Sequence, residues 1–416
     1  MRTIFKNAAQ IVTVSTKGKN LKRGADMKDI SVLTSHSIIA ENGKIVDIIP
    51  TESMSGVKFD NEIDLKGKVI LPGLVECHTH TAFAGSRASE FRMKLNGTGY
   101  EEIASKGGGI NYTVSAVRNS SKESLKRITH QRVKHFVSQG ITSLEIKSGY
   151  GLDFENEIKL LEVINEVNQE CGIDIYATFL GAHTFPVEYK NDRRGYLNKI
   201  INEMLPYVAR QNIATFCDAF CEITAFQPEE VREIFKAASG LGLKLKLHSE
   251  QFNNIGGLEV GTESGVLSID HLEVINDEDI RKLATTEIAA VLLPGVSFFL
   301  NYGFAPARKI IDNGGIVALS TDFNPGSSHI SNFHLIMSIA ALKMKMTIEE
   351  VISAVTINAA KALGISDRTG SIEIGKNADF SVFNCEDYSE IVYSIGSNLN
   401  EMTIKEGKII YSSSGD

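Results

Sequence analysis

The amino-acid sequence predicts an α/β fold: a (β/α)8 TIM barrel with a small β-sandwich-like domain formed from both chain termini. Three observations lead to this prediction. The middle of the chain alternates eight apolar, β-prone runs with helical patterns. Both ends contain short strand-like runs and turns. A length of 416 residues accommodates a barrel, which alone often reaches about 250 residues, with a domain attached to it.

Composition and charge exclude several classes of protein. Hydrophobic residues make up 43% and charged residues 23% of the chain, which excludes a disordered or fibrous protein. The formal net charge of −8 repels polyanions, so no nucleic-acid partner is expected. No apolar run approaches the roughly 20 residues of a membrane span, and no signal peptide is recognisable, so no membrane partner is expected. Five cysteines without a regular framework suit a reducing compartment, and we expect a cytoplasmic protein.

Both ends of the chain predict β structure. At the N-terminal end, Ser37–Ala40 and Ile45–Ile49 flank an Asn-Gly turn, which indicates a hairpin. At the C-terminal end, Met402–Ile404 and Ile409–Tyr411 flank a Glu-Gly turn. Neither end is long enough for a core of its own, so we expect the two ends to form one composite domain. The predicted domains are 1–68 with 366–416 for the β domain and 69–365 for the barrel.

The central runs are apolar almost throughout, which is typical of strands buried on both faces of a parallel sheet. The clearest helix between them has Ser120 as predicted N-cap, Glu123 three residues later, and Gly140 at its end. Another begins at Pro228. Eight strand–helix units indicate a (β/α)8 barrel, and a doubly wound open sheet remains the alternative. The predicted strands are Val69–Cys77, Ile141–Lys147, Ile173–Leu180, Ala214–Cys221, Leu243–Leu247, Gly265–Ile269, Ala289–Leu293 and Ile316–Leu319.

Histidines cluster at the ends of these predicted strands. The carboxyl ends of barrel strands meet on one face, where the active sites of such barrels lie. One histidine there is most simply a hydrogen-bonded structural residue, but five of the ten in the chain share this predicted rim. The five are His78, His80, His183, His248 and His271.

The spacing of two of these histidines predicts a metal site. His78 and His80 are two apart at a strand end, so both side chains can project to one side and chelate one ion. His248 and Asp322 are the natural completing ligands from the opposite side of the barrel. Histidine with carboxylate suits zinc or iron and leaves one position for water. We therefore expect one divalent or trivalent ion per chain, zinc or iron, held by these four residues.

Several separated motifs resemble the amidohydrolase superfamily along the whole chain. They are VILPGLVECHTH, KLHSEQ, LSTDFNPGS and IEIGKNADFSVFN. More narrowly, His-Thr-His followed by Phe-Ala-Gly-Ser-Arg, then Lys-Ser-Gly-Tyr-Gly and Gly-Ala-His, is similar to the imidazolonepropionase family. That resemblance implies a hydrolase of carbon–nitrogen bonds in cyclic amides, which opens 4-imidazolone-5-propanoate to N-formimino-L-glutamate in histidine degradation. It also implies one zinc or iron ion and a homodimer.

The resemblance also implies roles for individual residues. The propanoate of this anionic small-molecule substrate calls for a cation, and Arg87 is the obvious bidentate partner. Proton transfer would fall to Asp322, His271 or Glu250. Gln251 stands where some relatives carry Glu, and an amide cannot act as a general base. The residues implied to line the substrate are Tyr150, His183, Gln251, Asn324, Gly326 and Ser327.

Two further positions bear on the number of metal ions and on the alternatives. Two-metal amidohydrolases carry a Lys at the end of the fourth strand, whereas this chain has Cys221 and Glu222 there, which favours one ion. Lys147 ends the second strand instead and is expected to be solvated or ion-paired.

The alternative function is another cyclic amide or amidine hydrolase, or a deaminase of the superfamily, acting on a carboxylate-bearing substrate. A non-catalytic binding protein predicts a missing ligand, yet all four are present.

Overall fold

A computed structural model of the protein describes residues 1–54, 58–97 and 108–414. Both predicted sheet systems are present, one from the middle of the chain and one from its ends. The strands are β1 (Arg2–Lys6), β2 (Gln10–Val12), β3 (Val32–Leu33), β4 (His36–Glu41), β5 (Lys44–Pro50), β6 (Asn61–Asp64), β7 (Val69–Pro72), β8 (Leu74–Glu76), β9 (Ile141–Lys147), β10 (Asp174–Ala182), β11 (Phe216–Cys221), β12 (Lys244–Ser249), β13 (Ser268–His271), β14 (Ala289–Leu292), β15 (Ile316–Leu319), β16 (Phe380–Phe383), β17 (Asn400–Lys405) and β18 (Lys408–Ser412).

Helices connect most strands of the central sheet. The described helices are α1 (Ala88–Leu95), α2 (Ile110–Arg118), α3 (Lys122–Val137), α4 (Phe154–Glu170), α5 (Arg193–Lys199), α6 (Leu205–Gln211), α7 (Pro228–Gly240), α8 (Gly257–Ser264), α9 (Asp277–Leu283), α10 (Pro294–Leu300), α11 (Ala307–Asp312), α12 (Phe333–Met344), α13 (Ile348–Val355), α14 (Ile357–Ala362) and α15 (Ser389–Tyr393). Across the described ranges, none of these helices has the length and apolar character needed to cross a membrane.

The central sheet has eight parallel strands, β8 to β15, each paired with its neighbours in chain order. The sheet closes on itself after its first and last strands. Thr79, which follows β8, forms a parallel bridge with Phe323, which follows β15. The amide of His80 donates a hydrogen bond to the Phe323 carbonyl at 3.0 Å. The predicted (β/α)8 barrel is therefore confirmed, and the open-sheet alternative is wrong.

The barrel strands are buried on both faces, but the two faces differ in chemistry. In β9 every residue is buried. Leu144 and Ile146 belong to the core that the strands share with the surrounding helices. The alternate residues Glu145 and Lys147 are equally buried and pair with each other. Successive side chains of a strand point to opposite faces. The apolar residues of β9 therefore face the helices, and the charged residues between them face the barrel interior.

The run 69–77, predicted as one strand, is two strands. The first, β7, pairs antiparallel with β16 and parallel with β2 in the terminal sheet, and β8 begins the barrel. The change occurs at Gly73, where an added Cβ would lie 2.2 Å from Oγ1 of Thr142. An apolar pattern specifies burial but not the partner strand, which is why the sequence did not divide the run.

The start of α3 differs from the prediction by one residue. The N-cap of α3 is Ser121, whose hydroxyl accepts a hydrogen bond from the Ser124 amide at 3.2 Å. The predicted cap, Ser120, instead donates to the Ala116 carbonyl at 2.7 Å. Two consecutive serines each suit the position, so spacing alone could not choose between them. The helix predicted at Pro228 begins there.

The two chain ends form two sheets that share one core. Strands β5, β4, β1 and β6 make the first sheet, and β18, β17, β16, β7, β2 and β3 make the second. Phe5 of β1 packs edge-on against Phe380 of β16, with ring centres 5.1 Å apart. Both predicted hairpins are present, β4 with β5 and β17 with β18. The predicted domain boundaries at residues 69 and 366 stay a prediction. Strand β7, which the prediction assigned to the barrel, pairs with strands of the terminal sheet.

Candidate metal and substrate site

The carboxyl ends of the barrel strands surround a cavity of about 340 Å³. Four of the five predicted rim histidines line it: His80, His183, His248 and His271. The fifth, His78, is fully buried, and its ring centre lies 4.5 Å from that of His248. The structure therefore brings all five together, as parallel strands in a closed barrel require.

The four predicted metal ligands converge on one point. Nε2 of His78 and Nε2 of His80 each lie 3.4 Å from Oδ1 of Asp322. Nε2 of His248 lies 3.5 Å from Nε2 of His80. One donor atom each of His78, His248 and His271 also lies within 4.8 Å of the others. Both groupings contain His78, so they describe a single site.

Buried carboxylates orient two of these imidazoles. Oδ2 of Asp270 lies 2.6 Å from Nδ1 of His78, and Oδ2 of Asp218 lies 3.0 Å from Nδ1 of His248. A carboxylate beside Nδ1 retains the ring proton there and leaves the lone pair of Nε2 directed at the shared point. This is the arrangement that metal-ligating histidines usually have.

The donor atoms fit a cation. Within the described ranges, Nε2 of His78 and Oδ1 of Asp322 are buried without a hydrogen-bond partner. Burial, followed by the nearby positive charge of Lys147, lowers the pKa of His78, so its ring is neutral. Burial raises the pKa of Asp322 to about 7. A lone-pair nitrogen and a carboxylate oxygen this close repel each other unless a positive charge lies between them, so the site can hold a metal ion.

A buried charge network supports the histidine-orienting carboxylates. Nζ of Lys147 lies 2.8 Å from Oε1 of Glu145 and 2.8 Å from Oδ2 of Asp218. Lys246 donates to the Cys77 carbonyl at 2.8 Å and lies 3.3 Å from Glu145. Burial by itself lowers the pKa of Lys147, but Asp218 and Glu145 outweigh it and raise that pKa. Lys147 is therefore ion-paired, and it offsets the negative charge that the orienting carboxylates place in the barrel interior.

Asn324 holds the loop that carries Asp322. Its Nδ2 donates to Oδ2 of Asp322 at 2.9 Å, and its Oδ1 accepts from the amides of Gly326 and Ser327, both at 2.8 Å. Asn324, Gly326 and Ser327 all line the cavity as predicted. The amide group of Asn324 is nevertheless engaged within the loop, so it acts first on the orientation of Asp322.

Arg87 lines the cavity beside this loop. An added Cβ at Gly326 would lie 2.1 Å from Nη1 of Arg87, so only glycine allows this approach. Glu90 holds the guanidinium at 2.9 Å from Nε and 2.8 Å from Nη2. Lys94, which sequence reasoning missed, also lines the cavity. Its spacing of seven residues from Arg87, two turns of one helix, was the available signal.

The predicted substrate residues Tyr150 and His183 border the metal ligands. His183 stacks on His80 with ring centres 5.1 Å apart and 18° between the planes. Its Nδ1 lies 2.9 Å from the Gly149 carbonyl oxygen, which can only accept, so Nδ1 carries the proton. Burial lowers the pKa of His183 to about 4. The ring of Tyr150 lies 5.4 Å from that of His183.

The structure does not support Glu250 as a proton-transfer residue. Its Oε1 accepts a hydrogen bond from the Leu258 amide, in the first turn of α8, at 3.1 Å. Glu250 is not among the residues that line the cavity, whereas the adjacent Gln251 is. Burial raises the pKa of Glu250 to about 7. Its position in the sequence put it near the ligands, but the backbone turn at φ 51° directs it to the helix.

A second carboxylate near the site, Glu273, was missed. Its Oε2 lies 3.4 Å from Nδ1 of His271. Burial lowers the pKa of His271, but the charge of Glu273 outweighs burial and raises it. Nothing in the sequence distinguished Glu273, because it follows a strand end among other acids of a loop.

Comparison with known proteins gives a consistent family. The Amidohydrolase family matches residues 106–411. Imidazolonepropionases from Geobacillus thermodenitrificans and Clostridium tetani are each 42% identical over 416 residues, covering 99% of this chain and 98% of the relative. The imidazolonepropionase from Flavobacterium johnsoniae is 40% identical over 411 residues, covering 99% of this chain and all of the relative.

Solved structures share the fold at lower identity. A zinc-bound adenosine deaminase from Xanthomonas campestris has a TM-score of 0.73 at 18% identity, covering 98% of this chain and 92% of that one. An atrazine chlorohydrolase from Arthrobacter aurescens complexed with zinc has a TM-score of 0.72 at 16% identity, covering 100% of this chain and 97% of that one. At these identities the similarity supports the barrel and the attached β structure, and nothing about substrate.

Proposed function

This chain belongs to the amidohydrolase family and, within it, to the imidazolonepropionases, and on that basis we propose that it hydrolyses 4-imidazolone-5-propanoate to N-formimino-L-glutamate in histidine degradation. One observation carries the proposal: three of the four proposed metal ligands, His80, His248 and Asp322, line one cavity of about 340 Å³ together with the cation Arg87, and the fourth, His78, is buried directly beside them. That cavity offers a place for a small ring and for its carboxylate together. Another cyclic amide or amidine hydrolase, or a deaminase, is not favoured by the relatives.

We propose that His78, His80, His248 and Asp322 hold one ion, zinc or iron, because both metals accept imidazole with carboxylate. When bound, such an ion polarises a carbonyl oxygen and lowers the pKa of water toward neutrality. The residues of the chain supply the orientation: Asp270 and Asp218 keep the Nε2 atoms of His78 and His248 free of protons.

Proton transfer is assigned to Asp322. Its Oδ2 is held by Asn324, and Asp322 lines the cavity, so its carboxylate lies where it can reach both the water and the ring. In the proposed reaction the oxygen of water bonds to the ring carbonyl carbon, and the adjacent carbon–nitrogen bond breaks. Asp322 takes the proton of that water and delivers it to the departing ring nitrogen. His271, on the cavity wall, donates a hydrogen bond to the carbonyl oxygen.

Substrate binding is assigned to other residues that line the same cavity. Arg87, with its guanidinium fixed by Glu90, would bind the propanoate, and Lys94 would add a second positive charge. Tyr150 and His183 would flank the ring, with Gln251 and Ser327 as further hydrogen-bonding groups. A small anionic molecule therefore suits the cavity although the whole chain is acidic. We further propose a homodimer in the cytoplasm, in keeping with the family.

The test is an assay of the purified chain loaded with zinc or iron(II). We expect loss of the absorbance of 4-imidazolone-5-propanoate and formation of N-formimino-L-glutamate by mass spectrometry. Arg87→Ala should lower kcat/KM by roughly tenfold to a hundredfold, since a charge-assisted contact contributes about 1.5 to 3 kcal/mol. The control is Arg92→Ala, an exposed arginine of the same helix. No turnover by metal-loaded protein would contradict the proposal, and turnover of other cyclic amides or of aminated rings would then identify the alternative.

A further inference from the structure

The backbone directly after β13 adopts an uncommon conformation. His271 has φ 89° and Leu272 has φ 67°, so two consecutive residues other than glycine lie in the left-handed region. This conformation is unfavourable for residues other than glycine and persists only where the surroundings enforce it. Hydrogen bonds enforce it here: the Leu272 amide donates to the Ser249 carbonyl at 3.2 Å, and the Val274 amide to the Glu250 carbonyl at 2.9 Å.

The result of this turn is that Glu273 faces back toward His271. Its Oε2 lies 3.4 Å from Nδ1, and its side chain is only 2% exposed. Both carboxylate oxygens of Glu273 and Nδ1 of His271 are buried without a hydrogen-bond partner among the described residues. A buried carboxylate without a partner is costly, so its nearest proton-bearing group determines what it can do. That group is the imidazole of His271.

The opposite side of His271 is the cavity. His271 lines it together with His248 and Asp322. The hydroxyl oxygen of Tyr302 lies 3.4 Å from Nε2 of Gln251, another residue that lines the cavity. Burial, and next the charge of Glu273, raises the pKa of Tyr302, so this hydroxyl stays protonated. His271 thus lies between Glu273 and the cavity.

We propose that Glu273 is a positioning residue that accepts the Nδ1 proton of His271 and thereby fixes the ring with its Nε2 toward the substrate. The strained turn at His271 and Leu272 is what brings the Glu273 carboxylate to Nδ1 of His271. This inference rests on the proposed function for the identity of the substrate, but not for the contact itself.

Two variants test it, Glu273→Gln, which keeps the shape but not the charge, and Glu273→Leu, which removes the acceptor. We expect kcat to fall about 10- to 100-fold for the Leu variant, with a smaller loss for Gln, while KM changes less than about threefold. Metal content should equal that of the unaltered protein. Selective ¹⁵N labelling of histidine should show a proton on Nδ1 of His271, in addition to the Nε2 proton that faces the substrate, in the unaltered protein, and loss of the Nδ1 proton in the Leu variant. Glu278→Gln, an exposed acid on α9, is the matched control.

Three results would overturn the proposal. One is unchanged kcat with an unchanged ¹⁵N spectrum of His271. Another is loss of metal in proportion to activity, because His271 would then be a ligand rather than a substrate contact. The third is a kcat loss that matches the fraction of unfolded protein. If the unaltered protein does not open the imidazolone ring, the proposed function fails, and the ¹⁵N measurement still decides whether Glu273 holds His271. If the Leu variant does not fold, kcat and the ¹⁵N spectrum of His271 are measured on the Gln variant.

Discussion

His248 illustrates how a single side chain in this site depends on the residues behind it. Its Nε2 lies among the proposed metal ligands, and its Nδ1 lies 3.0 Å from Asp218. Asp218 in turn pairs with Lys147 at 2.8 Å. Burial alone would raise the pKa of Asp218, but His248 and Lys147 outweigh burial and hold it well below its usual range. The carboxylate is therefore ionised at every working pH and can retain the imidazole proton on Nδ1.

Asp218→Asn should weaken metal binding. An amide can present its NH₂ group to Nδ1 and then favours the ring tautomer with its proton on Nε2, the wrong atom for a ligand. Partners of this kind typically contribute 10- to 100-fold in metal affinity, and we expect a loss of that size. Competition with a chromophoric chelator measures it. Asp277→Asn, on the exposed surface of α9, is the control and should bind metal unchanged. Equal affinities for the two variants would contradict the assigned role.

At the scale of single residues, the residues proposed as metal ligands were easier to pick out from the sequence than the residues around them. His78 and His80 stand in a recognisable spacing, and Asp322 follows an apolar run, so type and position were both visible. Glu250 does not line the cavity, because a backbone at φ 51° turns its carboxylate toward the Leu258 amide. Glu273 was missed because it reaches His271 through a turn with positive φ at His271 and Leu272, and neither residue type predicts such a turn.

At the scale of elements, Gly73 separates two strands that belong to different sheets. The chain leaves the terminal sheet at Pro72 and enters the barrel at Leu74, and the Gly73 amide donates to the Asp379 carbonyl at 2.8 Å. The side chain of Thr142, on the neighbouring barrel strand, occupies the space where a Cβ would lie. This junction connects the terminal sheet to β8, the strand that His78 and His80 follow.

Gly73→Ala should destabilise the protein. The added Cβ would lie 2.2 Å from Oγ1 and 2.8 Å from Cβ of Thr142, so one of the two strands must move. Overpacking of this kind costs about 1 to 3 kcal/mol, measurable as a lower midpoint of urea unfolding. Gly240→Ala is the control, because no atom lies within 4 Å of its added Cβ. A midpoint unchanged in both variants would show that the junction tolerates a side chain.

At the scale of the whole molecule, Glu373 joins the two ends of the chain. Its carboxylate accepts hydrogen bonds from the Thr16 amide at 3.1 Å and the Lys17 amide at 3.0 Å, and it lies 3.5 Å from Nζ of Lys376. Burial opposes ionisation, but hydrogen bonds from the hydroxyl groups of Ser371, Ser15 and Thr16, together with the charge of Lys376, outweigh it and lower the pKa of Glu373 to about 2. The N-terminal loop is thereby held to the segment that follows the last barrel helix.

The pH dependence of stability should report this contact. Because the pKa of Glu373 is lower in the folded state than the ordinary value of about 4.3, its stabilisation is complete above that value and is lost as pH falls toward 2. Glu373→Gln should cost about 1.5 to 3 kcal/mol at pH 7, and the difference from the unaltered protein should shrink between pH 5 and pH 2. Urea unfolding across that range measures it, with exposed Glu41→Gln as the control. A difference that is constant with pH would contradict the assignment.

The sequence by itself determined the barrel, its terminal β structure, and the identity of the residues at the strand ends. It could do so because burial on both faces, turn chemistry and the histidine spacing are local properties of consecutive residues. Tertiary structure decided which strands pair with each other and which side chains come into contact through turns. It placed Val69–Pro72 in the terminal sheet and turned Glu250 to a helix. It also brought Glu273 to His271, and Asp218 of another strand to Lys147. These contacts join residues far apart in the chain or depend on backbone angles, and neither leaves a pattern in consecutive residues.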